Sequence, residues 1–233
     1  MNISFLKILT KPLGIKNILT LILNLFLLFL PALLSANFFG IDNLLFKITL
    51  SLALIVTNGY LWTIFQNEVE DENDDLPKWH YVNDFFIGLR GVIFSLACII
   101  LLAAVLAALW FLVQYVPDSK NIAIIIAIIY FIYWLLMFNA IAMGIFSENF
   151  NPIEALNFST ITEVIIGCWL NYLIACFYMI AYIFIIGMAC WACIGLNFSN
   201  PVFGVFIAYA IIVYFSLYAK VFKCVRTEYE SHI

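Results

Sequence analysis

From Asn17 to Phe39 and again from Val164 to Leu196 the chain carries no charged side chain. Runs of this kind constrain a fold more than any motif does. A water-soluble protein must present a polar shell, and it cannot hide unbroken apolar segments of this length in one small core. In hydrocarbon the constraint reverses: side chains are free to be apolar, but backbone amides must bond within their own segment. About 20 consecutive apolar residues therefore form a helix across the roughly 30 Å core. Composition agrees, since 66% of the 233 residues are hydrophobic and 10% are charged, against about 45–50% and 25% in soluble domains. Alternation typical of a membrane barrel is absent.

Six spans are expected in one all-α transmembrane bundle, over about 17–39, 44–65, 88–116, 121–146, 164–196 and 202–218. The first residues carry Lys7, Lys11 and Lys16 among apolar side chains, with a break at Pro12 and Gly14, and read as a short interfacial segment. A cleaved signal peptide is the rival reading, but Leu34-Ser35-Ala36 only half fits a cleavage site and the apolar run is too long. The last uncharged stretch, to Leu196, exceeds the core thickness and must tilt, kink or emerge. An acidic loop spans 66–84, and the tail from Lys220 is expected to be short and polar.

Lysine and arginine set orientation. With six spans, Lys7, Lys11, Lys16, Lys78, Arg90, Lys220, Lys223 and Arg226 share one side, and Lys47 and Lys120 lie on the other. Both termini are therefore expected in the cytoplasm, and the location is the cell membrane, multi-pass. The net charge of −4 argues against nucleic acid as a partner.

Candidate chemistry is sparse. Asp71, Asn73 and Asp75 match the first ligands of a calcium loop, but Leu76 replaces the turn glycine and Val82 the bidentate glutamate. The segment Glu68–Asp75 reads instead as a solvated linker that offers a protein partner a contact. The six cysteines (Cys98, Cys168, Cys176, Cys190, Cys193 and Cys224) sit in or beside apolar runs and read as packing residues. Cys190 and Cys193 form a C-x-x-C pair late in an apolar helix, where the dipole does not favour a thiolate. His80 and His232 are too far apart in sequence to suggest a zinc site, and no nucleophile–base motif or phosphate loop appears. No enzyme activity, metal or cofactor is expected.

Pro77, Trp79 and Tyr81 read as an interfacial anchor, because Trp and Tyr favour the headgroup layer. Asn24, Asn58, Asn139 and Asn171 fall at similar distances from the cytoplasmic charges and form a candidate polar layer inside the bundle. Such amides either tie helices together or line a neutral cavity. Asp84–Gly88 and Glu163–Gly167 open spans 3 and 5 in similar fashion, as parallel two-helix repeats would.

Gly59-Tyr60, then Leu76-Pro77-Lys78-Trp79, then Gly88-Leu89 before a long apolar helix resemble the prokaryotic membrane-protein family catalogued as domain of unknown function 4013. The resemblance implies a polytopic membrane fold and supplies no catalytic residue. The expected role is that of a non-enzymatic membrane protein that assists or organises other membrane components, with membrane lipids as its surroundings. The alternative is a small transporter for a neutral or lipid-like substrate. Against ion coupling stands the lack of a carboxylate, lysine or arginine near the midplane.

Overall fold

In a computed structural model, residues 14–70, 76–115, 120–134, 139–167, 169, 177, 180–182, 184 and 201–231 are described. Among them every regular element is a helix, and the fold is an all-α bundle. The helices are α1 (Ile15–Phe39), α2 (Leu44–Glu70), α3 (Tyr81–Tyr115), α4 (Lys120–Tyr133), α5 (Asn139–Asn149), α6 (Pro152–Ala155), α7 (Phe158–Gly167) and α8 (Pro201–Ser231). α1, α2 and α3 are long and apolar enough to cross a membrane, at about 37, 40 and 52 Å by the usual rise per residue.

Short polar residues place the helix ends. Gly40, at φ +82°, adopts a backbone that side chains disfavour, and its N–H closes α1 on Ala36 O at 2.9 Å. Asn43 Oδ1 accepts from Leu45 N at 2.8 Å and so caps α2. Asn151 caps α6 through Ile153 N (3.1 Å), with Pro152 at the first helical position. Asn157 does the same for Ser159 N at 3.1 Å. At the head of α3 the bond is reciprocal. Asp84 N donates to His80 O, and Asp84 Oδ2 accepts from His80 N, both at 2.8 Å.

Several boundaries differ from the sequence reading. α2 runs on to Glu70 and α3 begins at Tyr81, so 66–70 and 81–84 of the expected acidic loop are helical. Glu68, expected in a solvated linker, is 3% exposed. α7 starts at Phe158, ahead of Val164, and α6 occupies part of the expected loop 147–162. Within the expected span 121–146, α4 and α5 are described and 135–138 lie outside. The largest difference is α8, which continues through the supposed tail to Ser231. Val221, Phe222 and Val225 explain this: they share one helical face, and all three are buried.

The core lies towards the end of the bundle where α2 and α5 finish. Trp62 is its centre, with Phe94, Phe146 and Phe215 packed edge-on at centroid distances of 5.7, 4.6 and 5.2 Å. These rings come from α3, α5 and α8, so one indole joins four helices. Edge-to-face pairs add about 0.5–1.5 kcal/mol each beyond burial. Ile212 packs with Tyr60, and Lys220 meets Glu68. Equal spacing of these two contacts makes α8 parallel to α2. Away from this end the helices stay apolar but uncovered. The apolar windows of α1 and α3 are only 11% buried, and that of α2 22%.

Candidate functional site

The site with the most organised polar chemistry is the junction of α1, α2 and α3 beside this core. Its geometry begins with two glycines. A Cβ on Gly59 would lie 1.6 Å from Asp84 O, and one on Gly88 would lie 1.9 Å from Ile55 O. The backbones of α2 and α3 therefore touch, as small residues in apolar helices permit. Gly91, one turn on, leaves room for Trp62, whose Nε1 would stand 2.3 Å from a Cβ there.

Polar groups close the junction around that crossing. Thr63 Oγ1 donates to Asp84 Oδ1 (3.1 Å), and Asn58 Nδ2 donates to Gly88 O (3.1 Å). Asp84 is fully buried, and its two oxygens are occupied by Thr63 and the His80 backbone. That satisfaction is what makes a carboxylate tolerable there. Tyr60 Oη donates to Pro77 O at 3.0 Å, and its ring stacks on Trp79 with centroids 3.8 Å apart and planes at 15°. Tyr81 Oη donates to Asn24 Oδ1 at 2.5 Å, and Leu76 N donates to Asn17 Oδ1 at 3.2 Å, tying α1 to the start of α3. Near the end of α2, Lys220 Nζ reaches the Glu68 carboxylate at 3.2 Å, and on α5 Glu148 meets Arg226 at 2.9 Å.

Five of the seven sequence-predicted site residues have described side chains. Pro77, Trp79 and Tyr81 form inward contacts to α2 and α1, so they hold the protein to itself whatever headgroups they also meet. Asn24 and Asn58 both reach α3, at positions 81 and 88, two helical turns apart. They therefore meet α3 at separate depths. The Asn139 side chain and Asn171 lie outside the described residues, as do Asp71–Asp75, Cys190, Cys193 and His232. The α7 half of the proposed repeat is described, but most of the expected span 5 is not, and Gly167 is exposed whereas Gly88 is buried.

What the sequence reading missed is that Gly59, Thr63, Asp84 and Gly88 form one constellation. A signal was present: two glycines inside apolar helices on either side of one loop suggest close packing. Among the described residues no three His, Cys, Asp or Glu side chains gather to hold a metal. The arrangement binds helices to one another, with the oxygens of Asp84 and the hydroxyl of Tyr60 occupied in doing so, while Trp62 Nε1 and Trp79 Nε1 are buried without a hydrogen-bond partner.

Residues 43–195 match the model of a family described as a protein of unknown function, DUF4013. The chain belongs to this family. Searches of curated proteins and of solved structures each returned no match. The three motif elements of this DUF4013 chain meet in space: Gly59 and Gly88 at the crossing, and Tyr60 against Pro77 and Trp79. α8 lies beyond the matched segment, yet it fills the core that the matched helices leave open.

A stability series separates the two tied asparagines. Asn58→Leu leaves Gly88 O without its extra donor and pushes a branched chain at Gly91, whose would-be Cβ lies 2.9 Å from Asn58 Nδ2. A loss of about 1–2 kcal/mol is expected in detergent unfolding. Asn24→Leu, at a partly exposed site, is expected to cost less than about 1 kcal/mol. Equal losses would show that the Gly88 bond and the crowding at Gly91 do not decide the cost.

Proposed function

We propose that this DUF4013 chain is a multi-pass protein of the cell membrane, with both termini cytoplasmic, that organises other membrane components and carries out no catalysis. The observation that carries the reading is that α1, α2 and α3 are apolar and long yet largely uncovered. Side chains such as Leu19, Phe26, Phe38 and Ile100 stand more than half exposed, which water would penalise and lipid would not. Orientation rests on the cations. Lys78, Lys220, Lys223 and Arg226 lie toward the end where α2 finishes, and Lys47 and Lys120 open α2 and α4 at the other. The positive-inside rule makes the richer end cytoplasmic.

A non-catalytic role is supported by how the buried polar groups are used. Asp84, Thr63 and Asn58 meet partners within the fold, which serves assembly and leaves no free acid–base pair among them. The exposed acidic face at Glu70, with the segment that follows it, is the proposed contact for a protein partner.

The test is extraction and co-purification. The chain is expected to stay with membranes through an alkaline wash, to require detergent, and to retain a protein partner that is lost when Glu70, Asp71, Glu72, Asp74 and Asp75 are neutralised. Monodisperse protein in plain buffer would overturn the membrane assignment. Retention of a small neutral solute, with no protein, would favour the transporter alternative.

A further inference from the structure

The carboxylates of Glu68 and Glu148 meet Lys220 and Arg226. Asp84 is buried more completely than either, at 0% exposure, and among the described residues no cation is paired with it. Its two partners are the Thr63 hydroxyl and the His80 backbone N–H, and both are neutral. An ionised carboxylate is disfavoured in such a place, because two neutral donors replace only part of its hydration.

The hydrogens at Thr63 point the same way. Thr63 Oγ1 lies 3.1 Å from Gly59 O and 3.1 Å from Asp84 Oδ1. A threonine hydroxyl carries one hydrogen, and a carbonyl carries none. Both contacts are whole hydrogen bonds only if Asp84 supplies the second hydrogen. A protonated Asp84 donates from Oδ1 to Thr63 Oγ1, Thr63 donates to Gly59 O, and Oδ2 accepts from His80 N. When Asp84 is ionised, the Thr63 hydrogen turns to the carboxylate and Gly59 O gives it up.

The acid also stands where the two backbones touch, since Asp84 O is the atom that a Cβ on Gly59 would meet at 1.6 Å. A charge at that crossing draws in water, and a neutral acid does not. Among the described residues, the titratable groups beside it are few. Tyr60 faces it from α2, with its hydroxyl given to Pro77 O, and exposed His80 precedes α3. Further along α2, Glu68 is matched by Lys220. α1 brings the amides Asn17 and Asn24 to this end.

We propose that Asp84 is a proton-binding site: its neutral acid fastens α2 to α3, and release of the proton to water loosens the crossing. The ligand is the proton itself. The carboxyl is enclosed by the protein's own helices, so this holds whether or not lipid surrounds them.

Infrared spectra of purified wild type, D84N and T63V, with the aspartates labelled by carbon-13, test the site together with unfolding between about pH 5 and 8. At neutral pH wild type is expected to show the carbonyl stretch of a protonated carboxylic acid, moved by the label and missing in D84N. In T63V the band should shift to higher frequency, as for an acid that has lost its acceptor. The D84N amide keeps a donor and an acceptor without titrating. An unfolded aspartate is ionised above about pH 4, so the folded state holds one proton more and rising pH works against it. Relative to D84N, wild type should lose up to about tenfold in its folding equilibrium per pH unit. Glu68, Tyr60 and His80 are common to both chains, so the difference belongs to Asp84. A wild type without the labelled acid band at neutral pH overturns the site, and so do parallel pH profiles for wild type and D84N. If D84N does not fold, the band in wild type and its position in T63V decide: no band, or no shift, overturns the site.

Discussion

Gly59→Ala and Gly88→Ala are each expected to unfold this protein more readily than any other single methyl addition at its glycines. The added carbon meets a backbone carbonyl at 1.6 or 1.9 Å, and no rotamer change can move a backbone. The helices must separate, which also opens the bonds from Asn58 to Gly88 and from Thr63 to Asp84. A cost of about 3 kcal/mol, the upper part of the overpacking range, is expected. In thermal unfolding that corresponds to a midpoint lowered by roughly 10 °C for a chain of this size. Gly144→Ala is the informative comparison. Its Cβ would meet the Phe222 ring at 2.0 Å, and the ring must move by more than an ångström, which a side chain can do by rotating where a backbone cannot. A smaller loss, about 1–2 kcal/mol, should follow. If Gly59→Ala were no worse than Gly144→Ala, the close backbone approach of α2 and α3 would be wrong.

Removing everything after Tyr218 should have a larger effect still. The lost segment carries Val221, Phe222 and Val225, each contributing about 1.5–3 kcal/mol by burial. It also carries Lys220, the partner of a carboxylate that is 3% exposed. Such a chain is expected to give no monodisperse peak in detergent chromatography. Point changes resolve the electrostatic part. Lys220→Met takes from the buried Glu68 carboxylate the ammonium that meets it at 3.2 Å and should cost about 3 kcal/mol. Glu68→Gln should cost less, since Lys220 is 27% exposed and its amine can reach solvent. The double change Glu68→Leu with Lys220→Met should recover most of the loss, because the buried carboxylate goes together with the ammonium that met it. Glu148→Gln should cost under about 1 kcal/mol, as that pair with Arg226 lies at the surface. A truncated chain as stable as the whole one would show that the last turns of α8 are not core.

Helix identity was legible because an unbroken apolar run and the backbone's own hydrogen bonding decide it. The uncharged run from Asn17 to Phe39 became α1 over almost the same residues, and the end of α1 at Gly40 follows from glycine's tolerance of positive φ. The boundaries at Glu70, Tyr81 and Ser231 were not legible, since they fall where hydropathy drops but packing continues. Glu68 illustrates the reason. A carboxylate reads as a solvated residue until a lysine on a helix far along the chain is known to meet it. Tyr60, Pro77 and Trp79 were visible as a family motif, but their contacts with each other depend on a loop whose path hydropathy does not define.

By itself the sequence determined that the chain would be helical, that its helices would be apolar on nearly every face, and where most turns begin. Those outcomes are local, set by amides that need partners and by residues such as Gly40 and Asn43. Only the tertiary structure decided that Gly59 and Gly88 let two backbones touch, that Trp62 joins four helices, and that the apparent tail is core. These depend on which surfaces meet across long stretches of chain, and hydropathy carries no record of a residue's neighbour on another helix.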